Sequence, residues 1–344
     1  MRRQPCAVAS QVGALSLALA APAFAEATEE IRLREIESID TASITPQEAL
    51  IIQGPPTCDF DGNVLLMPSA GAEDPPRRLL KISSDGKKAT SIDLALIPGH
   101  EEGMLYGIAP SPDGRLFALT LGPKGQRIVE FKERGQVQVV AAFERDEMFV
   151  KRMAAFDVDA FLLEGYFKDE PVIGVFDRNG NLVRRVEVGA LAPRAGKQTD
   201  REREKARGEP VISADLGHLV AAGDGYVYAV AWTEKKGTLL GVSRAGDVVK
   251  NVRLAPPAGV RALASVKASK NRLAVQYAGL DALGRHRLWL SVYDLNSEAK
   301  LADYSVPGPG GSLLCYSVSD VSGDVFTMLG MSPEGHLRFV RIAR

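Results

Sequence analysis

An all-β protein built as a six-bladed β-propeller is what three features of the sequence predict. Hairpin-type dipeptides recur at Asp61-Gly62, Asp85-Gly86, Asp113-Gly114, Asn179-Gly180, Asp224-Gly225 and Glu334-Gly335. Such pairs favour type I′ turns, whose two central residues need positive φ. Short β-type runs lie between them, among them Arg115 to Thr120, Gln126 to Phe131, Tyr226 to Trp232 and Arg287 to Tyr293, and helical periodicity is absent outside the N-terminal segment and one charged insert. Aligned on their second strands, the units start near Asn63, Arg115, Phe161, Tyr226, Arg272 and Asp324. Spacings of about 45 to 65 residues suit propeller blades better than a sandwich.

Composition agrees. The chain has 344 residues, 45% hydrophobic and 25% charged, which excludes a disordered or fibrous protein. With 42 basic against 43 acidic side chains, it lacks the electrostatic footprint of a nucleic-acid binder. Its 33 glycines and 20 prolines fit many tight turns.

Residues 1–25 read as a secretory signal. Arg2 and Arg3 supply the charged start, Val12 to Pro22 an Ala- and Leu-rich apolar stretch, and Ala23-Phe24-Ala25 a small-x-small cleavage site. An uncleaved anchor is the alternative, but the apolar run is too short for a comfortable span, and no later stretch approaches the roughly 20 apolar residues a spanning helix needs. A lipid anchor is disfavoured because Cys6 sits at the front of the segment. The mature chain is therefore expected to be exported, to the periplasm or beyond the cell, with no membrane span. Residues 26–344 are read as a single propeller domain.

The ring's closure is legible at the two ends. The last unit has only three strands, Leu313 to Val318, Val325 to Leu329 and Leu337 to Ile342, while a spare run, Ile31 to Ile39, precedes the first. That run is expected to supply the last blade's missing outer strand and to cover its edge. Residues 189–210 form a charged inter-blade insert, read as a solvated loop or short helix, with a docking arm as the functional alternative.

Loss of Cys6 with the signal leaves Cys58 and Cys315, an even pair in an oxidising compartment. Both fall in innermost strands, of the first and sixth blades, which are neighbours in a closed ring. A bond there would latch the circle, worth on the order of 3–5 kcal/mol by chain entropy. Two separate buried thiols are the alternative.

The run from Gly107 through Ala118, reading Gly-Ile-Ala-Pro-Ser-Pro-Asp-Gly-Arg-Leu-Phe-Ala, resembles the blade motif of six-bladed NHL-like propellers of exported bacterial proteins. Weaker echoes occur from Cys58 to Leu66 and from Ser317 to Phe326. This resemblance implies a blade and, for the family, mostly interaction or ligand binding. Gluconolactonase-like propellers resemble the chain more distantly. Those enzymes hold a divalent metal beginning with a Glu in a Glu-Gly-Pro motif, where this chain has Gln53-Gly54-Pro55. An amide there loses the charge that a hard cation favours.

Among ionisable residues, His100, Glu101 and Glu102 form a loop joining the first two blades at the channel face, suited to a cation or polar ligand or simply to solvent. Asp157 and Asp159, with Asp215 and His218, make a second candidate rim set, with turn chemistry as the alternative. The four histidines, His100, His218, His286 and His336, show no zinc spacing, and no metal site or catalytic residue is assigned. Nucleophile-elbow and P-loop signatures are missing. The expected function is a non-enzymatic exported propeller that binds a protein partner or small-molecule ligand through channel-face loops. A divalent-metal-dependent lactonase or esterase is the alternative. No cofactor is required by the first reading, and calcium is the one the second would take.

Overall fold

The computed structural model describes residues 31–40, 51–52, 56–69, 78–93, 103–132, 136–186, 218–232, 237–281, 283–306, 311–319, 323–331 and 337–344. The signal segment, the 189–210 insert, His100, Glu101, Glu102, Asp215, His336 and Gln53 to Pro55 lie outside the described residues.

The described strands form six four-stranded antiparallel blades in chain order, and no helix occurs among the described residues. Blade 1 is Thr57–Cys58, Val64–Leu66, Arg78–Ile82 and Ala89–Asp93, with a small pair of Ile51–Ile52 and Pro68–Ser69 beside it. Blade 2 is Met104–Pro110, Leu116–Gly122, Gly125–Phe131 and Val137–Glu144. Blade 3 runs through Met148–Ala155, Ala160–Phe167, Glu170–Asp177 and Leu182–Arg185. Leu219–Ala221, Val227–Trp232, Gly237–Val242 and Val248–Leu254 make blade 4. Blade 5 comprises Val260–Ser269, Arg272–Leu280, His286–Asp294 and Ala299–Ser305. Blade 6 comprises Ser312–Ser319, Gly323–Met331 and Leu337–Ala343, completed on its outer edge by Arg34–Asp40. Each second strand begins within one residue of the position expected from sequence.

Second and third strands are buried on both faces, as Leu116 to Thr120 and Ala160 to Gly165 show, so they read as apolar runs. Each face packs against the next blade. Among the described residues the apolar side chains fall into clusters that straddle every seam of the ring: 1–2, 2–3, 3–4, 4–5, 5–6 and 6–1. Phe117 of blade 2 meets Phe161 of blade 3 edge-on, with ring centroids 5.0 Å apart. Buried glutamines add polar clamps across two seams. Gln126 Nε2 donates to the Val150 carbonyl at 2.8 Å, and the Leu313 amide donates to Gln276 Oε1 at 2.9 Å.

The closing strand does more than expected. Ile31–Arg32 runs parallel to Ala299–Ser305 at the outer edge of blade 5, and the chain then continues into blade 6, where Arg34 to Asp40 pair with Ala343 to Arg338. One segment therefore stitches two blades. The Cys58–Cys315 disulfide is present, with Cα atoms 5.4 Å apart, and joins the innermost strands of blades 1 and 6.

The turns depart from expectation. Only the glycine of each described dipeptide has positive φ (Gly62, Gly86, Gly114, Gly180, Gly225), whereas type I′ geometry needs two such residues in succession. These are longer loops in which the residue three before the glycine closes the turn. The Gly62 amide donates to the Asp59 carbonyl, and the Asp59 amide donates to that of Asn63. The first side chain then braces the loop: Asp59 Oδ1 accepts from the Asp61 and Asn63 amides, and Asp177 does the same for Asn179 and Asn181. Two consecutive positive-φ residues occur instead at Lys168 and Asp169, between the paired residues Phe167 and Glu170, where no glycine marks the turn.

Candidate functional site

Four strands per blade bring every inner strand down the ring in the same direction, so six inner strands wall a central channel. Its cavity is about 560 Å³ and draws residues from all six blades. Inner strands of small blades ordinarily place compact or apolar side chains here, and Ala154, Ala264, Ala268 and Val220 do so. Against that background three basic side chains and an imidazole stand out: Lys151 and Arg152 of blade 3, Lys267 of blade 5, and His218 just before the inner strand of blade 4.

Their surroundings differ. Arg152 Nη1 donates to both carboxylate oxygens of Glu164 at 3.2 Å, and that carboxylate is buried behind it in the second strand. Lys151 Nζ donates to the Tyr166 hydroxyl at 3.2 Å and lies 4.6 Å from the centre of its ring. Lys267 Nζ reaches across the channel to the Pro56 carbonyl at 3.3 Å and to Thr57 Oγ1 at 3.4 Å. Both contacts are long for an ammonium donor and neither acceptor is charged. Lys267 is half-buried in the channel wall. That burial lowers its pKa to about 8.

His218 is held neutral. Burial, then the charges of Lys267 and Arg152, pull its pKa down to about 4, opposed by a hydrogen bond from the ring to the Ala264 carbonyl. Among the described residues the carboxylate lining the channel is Asp59, which is engaged by Lys81 Nζ at 2.7 Å and by Asn63. The described ionisable groups thus make the channel basic, and among the described residues no cluster of three or more His, Cys, Asp or Glu could hold a metal ion.

Of the residues singled out from sequence, His218 lies in the channel with Lys267 and Arg152. Asp157 and Asp159 lie in the loop that leaves the inner strand of blade 3. Asp157 pairs with Arg244 of blade 4 at 2.7 Å, while Asp159 pairs within blade 3 with Arg178 at 3.5 Å and reaches Arg244 only at 4.0 Å. Neither aspartate lines the cavity that His218 lines. Cys58 and Cys315 line the channel as well as closing the ring. Sequence reading passed over Lys151, Arg152 and Lys267 because each sits inside a strand with no motif around it. The available signal was a charged residue at an inner-strand position, as in Val150-Lys151-Arg152-Met153 and Val266-Lys267-Ala268.

No protein-family model matches the sequence, and no curated protein matches it. Among solved structures the chain is similar to regucalcin, a calcium-binding protein from Agrobacterium tumefaciens str. C58, at 12% identity over 85% of this chain and 91% of that one, with a TM-score of 0.43. It is also similar to a puromycin hydrolase S511A mutant complexed with PGG (13% identity, 92% of this chain, 43% of that one, TM-score 0.40). Dipeptidyl peptidase 4 of Porphyromonas gingivalis is a third (11% identity, 82% of this chain, 42% of that one, TM-score 0.38). The chain spans less than half the length of these last two. None of the likenesses bears on what this chain binds or catalyses.

Proposed function

We propose that the chain is an exported, non-enzymatic β-propeller that binds a small molecule in its central channel. The observation that supports this reading is the convergence of Lys267, His218, Lys151 and Arg152 on one cavity, at positions where blade packing asks only for small or apolar groups. The blades act as a rigid frame, so the channel is preorganised and little ordering free energy is lost on binding. Export rests on the secretory signal read in residues 1–25, and the disulfide fits an oxidising compartment.

The test is a thermal-shift screen of a small-molecule library against the wild type and Ala264→Trp. Ala264 is exposed to the channel, so an indole there fills the cavity without entering a blade core. Ligands are expected to raise the wild-type Tm and not that of the variant. A parallel screen with p-nitrophenyl esters and lactones, with and without calcium, is expected to show no turnover. Turnover lost in Ala264→Trp would overturn the non-enzymatic reading. Millimolar calcium is expected to leave the Tm of the metal-stripped protein unchanged, because the described channel groups repel a cation.

A further inference from the structure

Among the described residues the charges of the channel do not balance. Arg152 is neutralised by Glu164, the Asp59 carboxylate is matched by Lys81, and Lys151 rests on the Tyr166 ring and hydroxyl. His218 is uncharged near neutral pH. That leaves Lys267, whose ammonium has three donors and, among the described residues, only two long contacts to neutral oxygens. A half-buried cation with no counter-ion among the described residues is disfavoured by its desolvation, a cost that an arriving anion offsets.

We propose that the channel binds a small organic monocarboxylate, with its carboxylate on Lys267 and Thr57 and its apolar part against the side chains that line the rest of the cavity. This rests on the channel being the ligand site, as proposed above. Three observations set the class. Among the described residues Lys267 is the channel cation with neither a carboxylate nor an aromatic ring against it, and it calls for one negative charge. The only guanidinium among these groups, Arg152, already has its charge matched by Glu164 through Nη1, so the guanidinium charge that would favour a phosphate dianion is engaged elsewhere. The remaining lining mixes polar and apolar surface, and the side chains of Tyr106, Ile108, Met153 and Val220, partly open to the cavity, supply an apolar part. Beside the carboxylate position, neutral His218 offers a hydrogen-bonding imidazole that adds no charge.

The experiment is calorimetric titration of the full mature chain with four probes of equal length: hexanoate, hexanol, hexylamine and hexyl phosphate. Hexanoate is expected to bind about tenfold or more tightly than hexanol, the scale of one charge-assisted hydrogen bond. Hexylamine is expected not to bind. In Lys267→Met, hexanoate should fall to the level of hexanol, and Lys267→Arg should keep most of the preference. Removal of an unpaired charge should leave the Tm of Lys267→Met at or above wild type, and Lys267→Gln serves as a second neutral variant. Equal binding of hexanoate and hexanol to the wild type would overturn the carboxylate assignment while leaving a channel ligand site standing. Tighter binding of hexyl phosphate would overturn it in favour of a dianion. Failure of all four probes would also overturn it, and the library screen against Ala264→Trp then decides the channel reading separately.

Discussion

Lys267 and His218 each hold a proton less readily in the folded protein than in the unfolded chain, and both effects act in the same direction on stability. The Lys267 value falls from 10.5 to about 8, so between those values the unfolded chain keeps a proton that the native state has released. Stability gains accordingly as pH rises through that window. Below pH 8 the penalty for the buried ammonium is fully present. Lys267→Met removes it, so the variant's advantage in urea-melt stability is expected to be largest near pH 7 and to shrink toward pH 10.5. For His218 the window runs from 6.5 down to about 4, and stability is lost as pH falls through it because the unfolded chain takes up the proton first. His218→Gln is expected to flatten the melting profile across that interval and leave it unchanged above pH 7. His218 could be named from sequence because histidines are few. Lys267 could not, because its meaning depends on which face of a strand looks into the channel.

Blades are held to one another by apolar seams with a few polar clamps, and the clamps can be tested one at a time. Gln276 donates to the Gly311 carbonyl at 2.6 Å and accepts from the Leu313 amide, fixing the inner strand of blade 6 against blade 5. Gln276→Leu keeps most of the volume but leaves two part-buried backbone groups without that partner. A loss of about 2–4 kcal/mol in urea denaturation is expected, with the unfolding slope unchanged. The second strands were legible in sequence because apolar runs bounded by Asp-Gly or Asn-Gly recur with a period. Turn type was misread because the residue that decides it, such as Asp59 or Asp177, stands three positions before the glycine and was not counted as part of the signal. The clamps were invisible for a simpler reason: a glutamine in a strand looks alike whether it faces solvent or a neighbouring blade.

At the scale of the whole ring, two devices hold the ends: the disulfide inside and the segment Ile31 to Asp40 outside. The 6–1 cluster is the smallest of the apolar seams among the described residues, and it is the seam that carries the bond. A crosslink between residues 257 positions apart removes about 5 kcal/mol of unfolded-state entropy in the chain model. The Cys58→Ser, Cys315→Ser double variant is expected to lose stability of that order in a urea melt, and reductant is expected to do nothing further to it. Deleting residues up to 40 uncovers the edge of Leu337–Ala343 and removes the Glu35–Arg338 and Glu37–Arg341 ion pairs. A sharply lower Tm and concentration-dependent association in sedimentation are expected, and an unchanged melt would contradict the stitching role. Blade number, closure and latch were all readable in advance because they follow from counting strands. The basic channel was not, since it emerges only when six inner strands are set face to face.

Closure also fixes an order of events in time. Glu35 and its partner Arg338 are 303 residues apart, so at about 5–20 residues per second the closing strand is made roughly 15–60 s before the strand it pairs with. Blades 1 to 5 draw all four of their strands from contiguous chain and can form as they emerge, whereas blade 6 waits for both ends. A product that stops short of Leu337 keeps both cysteines of the latch but leaves Gly323–Met331 and Arg34–Asp40 without the strand that joins them.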